Sequence, residues 1–355
     1  MDRGKKPTTF FANRNNKIYM DLKDIIRENT LRYLPAKSLR RCTSVCREWK
    51  LYISTPFFAH NQSNSFHDLS GFFCQSHSSQ PSFISLDPIA YGVPDPSLKF
   101  LPEPVDIRCS SNGLLCCQGR TGYKAYYICN PVIQQWKKLP KPDANHGCDP
   151  ALVLVFEPSL LNFVADYKLI CAFQSDLDGY EFDIYSSAEG SWRTSGEICF
   201  GNRQIVPSTG VHVDGIVYWQ SRSTVVAFDL TSERSTLIYS YSSGSLGKVN
   251  GKLCSASIQG SKLTIAELSN PYTNTMQMHS KTRAWSVKNV TLNDSVFAGQ
   301  TDQKSVLFIG GKIVVIRLGS TLISYDTRTN DIKQLATEVD YDPRMIPYVN
   351  SLVEV

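Results

Sequence analysis

His146, Cys148 and Asp149 stand close together in the sequence, and they are the residue types of a cysteine nucleophile with its base and acid. A thiol becomes a strong nucleophile when a histidine takes its proton and an acidic group orients that histidine. His146 with Cys148, and separately Cys74 with His77, also supply half of a tetrahedral metal site. Complementary ligands are not apparent in the sequence. A polar loop is the simpler interpretation, so we expect no catalytic residue and no metal.

Three carboxylates, Asp176, Asp178 and Glu181, could in principle act as the acid and base of a glycosidase. Their neighbour Gly179 makes a solvated turn the better interpretation. The phosphate-binding patterns GxxxxGK and GxGxxG, the nucleophile pattern GxSxG and the zinc pattern HExxH do not occur, and the six histidines are dispersed. The sequence therefore predicts a protein that is not an enzyme and needs no cofactor.

Helical spacing of apolar residues marks the start of the chain, centred on the stretch Leu34 to Trp49. The two apolar sets are Leu22, Ile25, Ile26, Tyr33 and Leu34, then Cys42, Val45, Cys46, Trp49, Tyr52 and Ile53. We predict three short helices, with Asp21 as the first N-cap, Pro35 redirecting the chain and Pro56 ending the last helix. Because a unit of roughly 40 residues encloses little core, part of its apolar surface should face another protein.

The stretch LPAKSLRRCTSVCREW resembles the F-box in the form common in plant F-box proteins, through Leu34-Pro35, Lys37-Ser38-Leu39, Val45-Cys46 and Trp49. The resemblance covers about residues 18–60. Leu22-Lys23 and Asn29-Thr30-Leu31 depart from the usual pattern. The resemblance implies docking on a Skp-type adaptor, and through it on a cullin. It implies that these residues make the contact: Leu34, Pro35, Leu39, Val45 and Trp49.

The rest of the chain changes to short strand patterns of period two, bounded by Gly, Pro, Asn and Ser. These strands recur as six units that begin near Gly71, Gly113, Ala151, Gly210, Val249 and Ser305. Their spacing is that of four-stranded propeller blades. We therefore predict an all-β propeller of six blades after the small all-α F-box. The strand-like segment Tyr348 to Val355 should complete the first blade and close the ring.

This body resembles the F-box-associated domain of plant F-box proteins, which is kelch-like and implied to be a β-propeller. The resemblance rests on SNGLLCC, YYICNPVIQQWKKLP, FDIYSSAEGSW, VDGIVYW and VAFDLTSE. Asn130-Pro131 within the second motif suits a turn. Four tryptophans are predicted to pack between blades: Trp136, Trp192, Trp219 and Trp285.

The charge distribution and the predicted domain boundaries follow the same division between a helical start and a strand-rich remainder. We predict a disordered basic tail at 1–16, the F-box at 17–60, a linker at 61–69 and the propeller at 70–355. Residues 1–60 carry 13 Lys or Arg and 5 Asp or Glu, whereas the remainder carries 24 and 27. A basic module suits an acidic protein partner. No aromatic–basic pattern indicates nucleic acid, and no apolar run is long enough to cross a membrane.

Eleven cysteines without a CxxC pair sit mainly inside apolar strand patterns, where a free cysteine acts as a small hydrophobe. Their odd number and scattered spacing favour a reducing compartment, so we expect a cytoplasmic or nuclear protein.

Together, the two resemblances imply a substrate receptor of a Skp–cullin–F-box ubiquitin ligase that captures an unknown protein substrate. The alternative is a propeller interaction scaffold that acts outside a cullin complex. Surface loops carry binding residues more often than other segments. The longer loops expected to contact substrate are Pro88–Lys99, Lys141–Pro150, Gln174–Tyr180 and Gly201–Ser208.

Overall fold

The computed structural model of the chain describes residues 22–76, 79–201, 204–269, 284–292, 304–337 and 344–355. Within these residues, a group of helices is followed by six antiparallel sheets. The predicted basic tail at 1–16, the expected N-cap Asp21 and His77, which was considered with Cys74 as half of a metal site, lie outside the described residues.

Four α-helices and one 3-10 helix form the described part of the helical module, where three helices were predicted. They are α1 (Leu22–Asn29), the 3-10 helix (Leu31–Tyr33), α2 (Ala36–Cys42), α3 (Arg47–Ile53) and α4 (Pro56–Ser65). The additional helix is α4. Pro56 was predicted to end a helix, but it occupies the first turn of α4, where its missing N–H costs nothing. The Thr55 hydroxyl caps this helix by accepting from the N–H of Phe58 at 3.1 Å.

The apolar set that runs from Cys42 to Ile53 is divided between α2 and α3. Cys46 is extended, with φ −159° and ψ 164°, and its sulfur accepts from the N–H of Trp49 at 3.4 Å. The Thr43 hydroxyl donates to the carbonyl of Arg40 at 2.6 Å, which competes with continuation of α2. A helical pattern in sequence thus spans two short helices joined by a capped turn.

Residues 61–69, predicted as a linker, begin with the second half of α4, and four of them are buried: Asn61, Gln62, Ser63 and Phe66. The Gln62 side-chain amide donates to the carbonyls of Leu34 and Asn350 at 3.2 and 3.4 Å. The Ser63 hydroxyl donates to the carbonyl of Asn112 at 3.4 Å. The polar composition that suggested a linker instead serves hydrogen bonds that attach the helical module to the sheets.

The sheets form six blades around a central axis. Blade 1 contains β23 (Arg344–Tyr348), β1 (Gly71–Gln75) and β2 (Ser82–Ser85). Blade 2 contains β3 (Val105–Ser111), β4 (Leu114–Gly119), β5 (Tyr126–Asn130) and β6 (Gln135–Lys138). Blade 3 contains β7 (Ala151–Phe156), β8 (Tyr167–Ser175), β9 (Gly179–Ser186) and β10 (Ser191–Phe200). Blade 4 contains β11 (Val211–Val213), β12 (Ile216–Gln220), β13 (Thr224–Asp229) and β14 (Arg234–Tyr239). Blade 5 contains β15 (Ser245–Val249), β16 (Lys252–Gln259), β17 (Lys262–Leu268) and β18 (Trp285–Thr291). Blade 6 contains β19 (Lys304–Gly310), β20 (Ile313–Leu318), β21 (Thr321–Asp326) and β22 (Ile332–Ala336).

The turn from the first to the second strand repeats in blades 2, 4 and 5. It is Asn112-Gly113, Asp214-Gly215 and Asn250-Gly251, and all six residues have positive φ. Positive φ at both central residues defines the type I′ turn, whose twist matches that of the strands it joins. Because Asn, Asp and Gly adopt this backbone at low cost, the local sequence fixes three hairpins of the ring.

Six apolar clusters each join two neighbouring blades, and together they run once around the ring. Phe182 of blade 3 stacks on Phe228 of blade 4 with ring centroids 4.3 Å apart. The ring centroids of Phe72 in blade 1 and Phe308 in blade 6 are 5.1 Å apart, so the last blade packs against the first. The predicted six-bladed, closed propeller is confirmed.

A C-terminal strand completes blade 1, as predicted, but it lies earlier in the chain than expected. β23 pairs with β1 over Arg344–Tyr348, with Phe73 opposite Ile346. Residues 349–355, here called the C-terminal tail, form no strand. Asn350, Ser351 and Val353 of this tail are nonetheless fully buried, so the apolar pattern there reflects packing rather than pairing.

Three of the four tryptophans predicted between blades are packed against their neighbours. Trp219 is fully buried, and the indole N–H of Trp285 reaches across to the carbonyl of Tyr239 at 2.9 Å. Trp192 packs against the cluster between blades 2 and 3. Trp136 does not follow the prediction. It lies on the outer strand β6 and is 42% exposed, because an outer strand has no next strand to cover it.

Candidate functional site

The innermost strands β3, β7, β11, β15, β19 and β23 all begin at the same end of the ring. At that end a cavity of about 840 Å³, here called the mouth, opens between the blades. Its lining includes the first residues of β3, β15 and β23, with the segments that enter β7 and β11. A volume of this size is typical of ligand sites in proteins.

Two arginines and one aspartate form the charged centre of the mouth. Arg108 comes from β3 and Arg344 from β23, and both donate to the same oxygen, Oδ1 of Asp149. The Arg344–Asp149 distance is 2.6 Å. Arg108 is only 8% exposed, whereas half of the Asp149 side chain is accessible to solvent. A buried arginine and a half-exposed loop carboxylate are thus in contact in the lining of the cavity.

Arg108 is held in place by neutral groups as well as by charge. Its Nε and one terminal nitrogen donate to Oε1 of Gln118 at 3.0 and 2.6 Å, and the carbonyl of Cys148 accepts at 2.8 Å. Burial, followed by the nearby charge of Arg344, lowers the pKa of Arg108 from its usual value. The guanidinium therefore sits in a site with a fixed geometry and an excess of positive charge.

Two residues that line the mouth lie at β-bulges, which change the direction of their side chains. In blade 2, Ile107 pairs with Cys117 and Cys109 with Cys116, so Arg108 is the extra residue of the strand. In blade 6 the same shift leaves Leu307 as the extra residue of β19. A bulge turns one side chain out of the strand alternation, and bulges often stand beside functional sites.

The sequence analysis missed Arg108 and Arg344 as site residues. A signal was present in β3, where Asp106 and Arg108 alternate with the apolar Val105 and Ile107. Such alternation marks a strand with one polar face, and in the structure both Asp106 and Arg108 line the mouth. The predicted unit began at Gly113, which omitted β3 altogether.

The structure separates the four loops that were expected to contact substrate. The loop at 141–150 enters β7 and contributes Cys148 and Asp149 to the mouth. Residues 202–203 of the loop at 201–208 lie outside the described residues, and the part that enters β11 contributes Val206, Pro207 and Ser208. The loop at 174–180 joins β8 to β9 at the same end of blade 3, because Ala172 lies opposite Ala151 at the start of β7. The loop at 88–99 differs. Pro88 accepts from Lys37 Nζ at 2.7 Å, so this loop begins against the helical module.

The possible cysteine–histidine–acid cluster is not assembled. His146 has a ring nitrogen 3.0 Å from the Tyr126 hydroxyl and the other 2.9 Å from Oδ2 of Asp183. Asp149 is engaged by the two arginines, and Cys148 is exposed. Both nitrogens of the histidine are therefore committed to a buried network that joins blades 2 and 3.

The three carboxylates considered for glycoside chemistry lie at the β8–β9 connection. Glu181 accepts from the Ser175 hydroxyl, and Asp178 has φ +58°. This geometry is that of a hairpin turn, as the simpler interpretation predicted. Within the described residues, no group of three or more His, Cys, Asp or Glu side chains is placed to hold a metal ion.

At the other end of the ring, the helical module packs where the innermost strands finish. Ser63 bonds the turn after β3, and the ring of His60 lies 6.4 Å from that of Phe156 at the end of β7. None of the helices among the described residues is long and apolar enough to cross a membrane. The module and the mouth thus occupy opposite ends of the propeller.

The five residues expected to contact an adaptor have very different exposures. Leu39 is fully buried and forms the module core with Leu31, Ile53 and Phe58. Pro35 is buried as well. Leu34 and Trp49 are partly buried against the same core, and Val45 is 63% exposed.

Other apolar side chains of the module are exposed, and the sequence analysis did not single them out as contacts. Leu22 and Ile25 on α1 are 68% and 42% exposed, and Leu51 on α3 is 60% exposed. Leu22 and Ile25 share the helical pattern of Ile26, which packs on the module core, and only their exposure distinguishes them, whereas Leu51 lies outside the predicted apolar sets. Like Val45, they are apolar side chains of the module that the rest of the described chain leaves exposed.

The C-terminal tail fastens the helical module to the propeller. Leu352 packs both on the module core and on the cluster between blades 1 and 2. The Asn130 amide donates to the carbonyls of Ser351 and Val353 at 3.0 and 2.9 Å. Asn130 Oδ1 also accepts from the N–H of Val132 at 3.0 Å, which confirms the predicted turn at Asn130-Pro131.

Comparison with known proteins shows the family to which the chain belongs. Residues 97–306 match the family model described as F-box protein At3g26010-like, β-propeller. The chain belongs to this family.

Several curated plant proteins are similar to this F-box propeller chain. F-box protein At5g07610 of Arabidopsis thaliana is 31% identical over 234 residues, which cover 59% of this chain and 52% of the relative. F-box protein At5g49610 of the same plant is 40% identical over 111 residues, 30% of each chain. The F-box/kelch-repeat protein At3g61590 is 29% identical over 129 residues, 36% of this chain and 31% of the relative. The matches thus span at most about half the length of these relatives.

Proposed function

We propose that this chain is the substrate receptor of a Skp–cullin–F-box ubiquitin ligase. The observation that carries the proposal is that the helical module leaves four apolar side chains exposed: Leu22, Ile25, Val45 and Leu51. Exposed apolar side chains grouped on a small folded unit are typical of a protein interaction surface. A Skp-type adaptor is the partner proposed for it, and a cullin would join through that adaptor. The compartment proposed is the cytoplasm, the nucleus or both.

The chain itself makes and breaks no bond in this role. The helical module binds the adaptor, and the opposite end of the propeller holds a protein substrate. Holding both partners raises the effective concentration of a substrate lysine near the ubiquitin-charged enzyme on the same scaffold. The buried attachment of α4 and the C-terminal tail supports this role, because it fixes the direction in which the substrate is presented.

The experiment is a co-purification of the full chain with a Skp-type adaptor, using Val45→Asp as the test variant. Val45 is 63% exposed, so the change should leave folding intact, while a charge placed in an apolar interface should weaken binding more than about tenfold. Leu177→Asp is the matched control. Its side chain is also 63% exposed, but it lies at the mouth end of blade 3. Leu39 is unsuitable for this purpose because its replacement perturbs the core.

The proposal requires that wild type and Leu177→Asp bind the adaptor and that Val45→Asp binds much more weakly. A folded wild-type chain that does not retain the adaptor removes the ligase function. Adaptor binding without recruitment of a cullin favours the alternative of an interaction scaffold that acts outside a cullin complex.

A further inference from the structure

The charge at the mouth is unbalanced. Four cationic side chains, Arg108, Arg120, Lys124 and Arg344, line it against two carboxylates, Asp106 and Asp149. Arg120 pairs with Asp106 at 2.8 Å, and Arg108 and Arg344 share Asp149. The cavity therefore has a net positive charge and attracts anionic groups more strongly than an open surface would, since its low-dielectric walls focus the field.

Asp149 occupies the centre of this charge from a loop rather than from a strand. It belongs to the connection at 141–150, and its side chain is half exposed. Arg108, in contrast, is anchored by Gln118 and by the carbonyl of Cys148. Arg108 therefore stays in place whether or not the Asp149 carboxylate remains beside it, and the Arg344 guanidinium keeps its donation to the carbonyl of Ile107 at 3.5 Å.

We propose that the mouth binds an acidic segment of a protein, and that Asp149 occupies the position of the carboxylate or phosphate of that segment. The incoming anion takes the place of the Asp149 carboxylate between Arg108 and Arg344. Because one anion replaces another, the arginines are never left unpaired and the exchange avoids the large cost of an uncompensated buried charge. The proposal rests on the proposed function, since it names the chemistry of the substrate segment that the receptor captures.

The other lining groups favour a peptide over a nucleic acid. Leu246, Leu307 and Met345 add apolar surface beside the charged groups, which suits mixed side chains. Single-stranded nucleic acids are bound through aromatic side chains that stack on the bases. No aromatic residue is present among the described residues that line the mouth.

The test measures binding of short fluorescent peptides to the full chain by fluorescence anisotropy. One peptide carries several glutamates, one carries phosphoserines, and one carries glutamines in place of the glutamates. A single-stranded oligothymidylate of similar length is the nucleic-acid probe. The variants are Arg344→Gln and Asp149→Asn, with Arg328→Gln as the matched control. Arg328 is exposed in the turn after β21, at the opposite end of the strands.

The proposal predicts opposite effects from the two mouth variants. Arg344→Gln should weaken binding of an acidic peptide about tenfold, because one charge-assisted hydrogen bond is lost. Asp149→Asn should strengthen binding about tenfold, because it removes the competing internal anion. Arg328→Gln should bind like wild type. A preference for the phosphoserine peptide over the glutamate peptide identifies phosphate as the anion, and the reverse preference identifies a carboxylate.

Three outcomes overturn the inference: equal binding of the glutamine and acidic peptides, Asp149→Asn binding acidic peptides more weakly than wild type, or binding of the oligothymidylate alone. Adaptor co-purification is scored on the same preparations. Loss of peptide selectivity with adaptor binding retained removes the mouth proposal alone. Peptide selectivity without adaptor binding removes the ligase function and leaves the acidic-segment site standing.

Discussion

Asn130 should be one of the most sensitive single positions in the propeller, because one fully buried side chain holds the C-terminal tail. Its amide donates to Ser351 and Val353, and its oxygen accepts from the N–H of Val132 and from the Tyr348 hydroxyl at 3.3 Å. Asn130→Ala leaves two carbonyls and an N–H without that partner, whereas the Tyr348 hydroxyl keeps the carbonyl of Gly113 at 3.1 Å as its acceptor. A buried polar group left unpaired costs about 1–3 kcal/mol, and partial rearrangement recovers part of the sum. We expect the free energy of unfolding to fall by about 2–4 kcal/mol.

Urea unfolding followed by tryptophan fluorescence measures this loss, and hydrogen exchange locates it. Exchange should accelerate in the C-terminal tail and in α4, because the tail bridges the helical module and the propeller. Asn145→Ala is the matched control. Asn145 is exposed and its side-chain oxygen accepts from the N–H of Gly147 at 3.1 Å, so its loss should change the free energy of unfolding by less than about 0.5 kcal/mol.

A free energy of unfolding for Asn130→Ala that equals that of the control would refute the reasoning. So would unchanged exchange in residues 344–355. Removal of residues 347–355 should be more damaging still, since it takes away the tail and the end of β23, and an unchanged thermal transition would contradict ring closure by this strand.

Three further perturbations test other parts of the fold. Leu39→Ala should lower the free energy of unfolding by about 2–5 kcal/mol in denaturant titrations, since the side chain is fully buried; a surface-like loss below about 0.5 kcal/mol would contradict its place in the core. Burial lowers the pKa of His60 and of His212, so the folded state binds fewer protons than the unfolded state; the melting temperature should fall as pH decreases below about 6.5, and a rise would reverse the assigned sign. Native alkylation followed by mass spectrometry should label exposed Cys148 first and spare Cys74, because burial raises the pKa of the Cys74 thiol to about 12.

The propeller could be read from the sequence because its strands obey local rules. Short apolar runs, such as those of β8 and β13, together with Gly- and Asn-bearing turns, indicate paired strands whatever lies around them. The innermost strands were the weak point. β11 was fused with β12, and β19 with β20, since a three-residue strand or a bulged strand carries little periodic signal.

The exposure of the candidate site residues was harder to predict from local sequence patterns. Leu39 and Val45 belong to one recognisable motif, yet the first is fully buried and the second is mostly exposed. Helical spacing gives the face of a helix but not the element that covers it. For the same reason, the polar residues of α4 suggested a linker, although the propeller buries them.

The amino-acid order alone determined a small helical unit before a six-fold array of strands, because periodicity, turn residues and proline act over a few neighbouring positions. The meeting of Arg108, Asp149 and Arg344, and the capture of the C-terminal tail by Asn130, were decided only by the closed ring. These residues are separated by tens to hundreds of positions. They become neighbours because ring closure brings the last strand of the chain into the first blade, and no local sequence pattern predicts a contact over that separation.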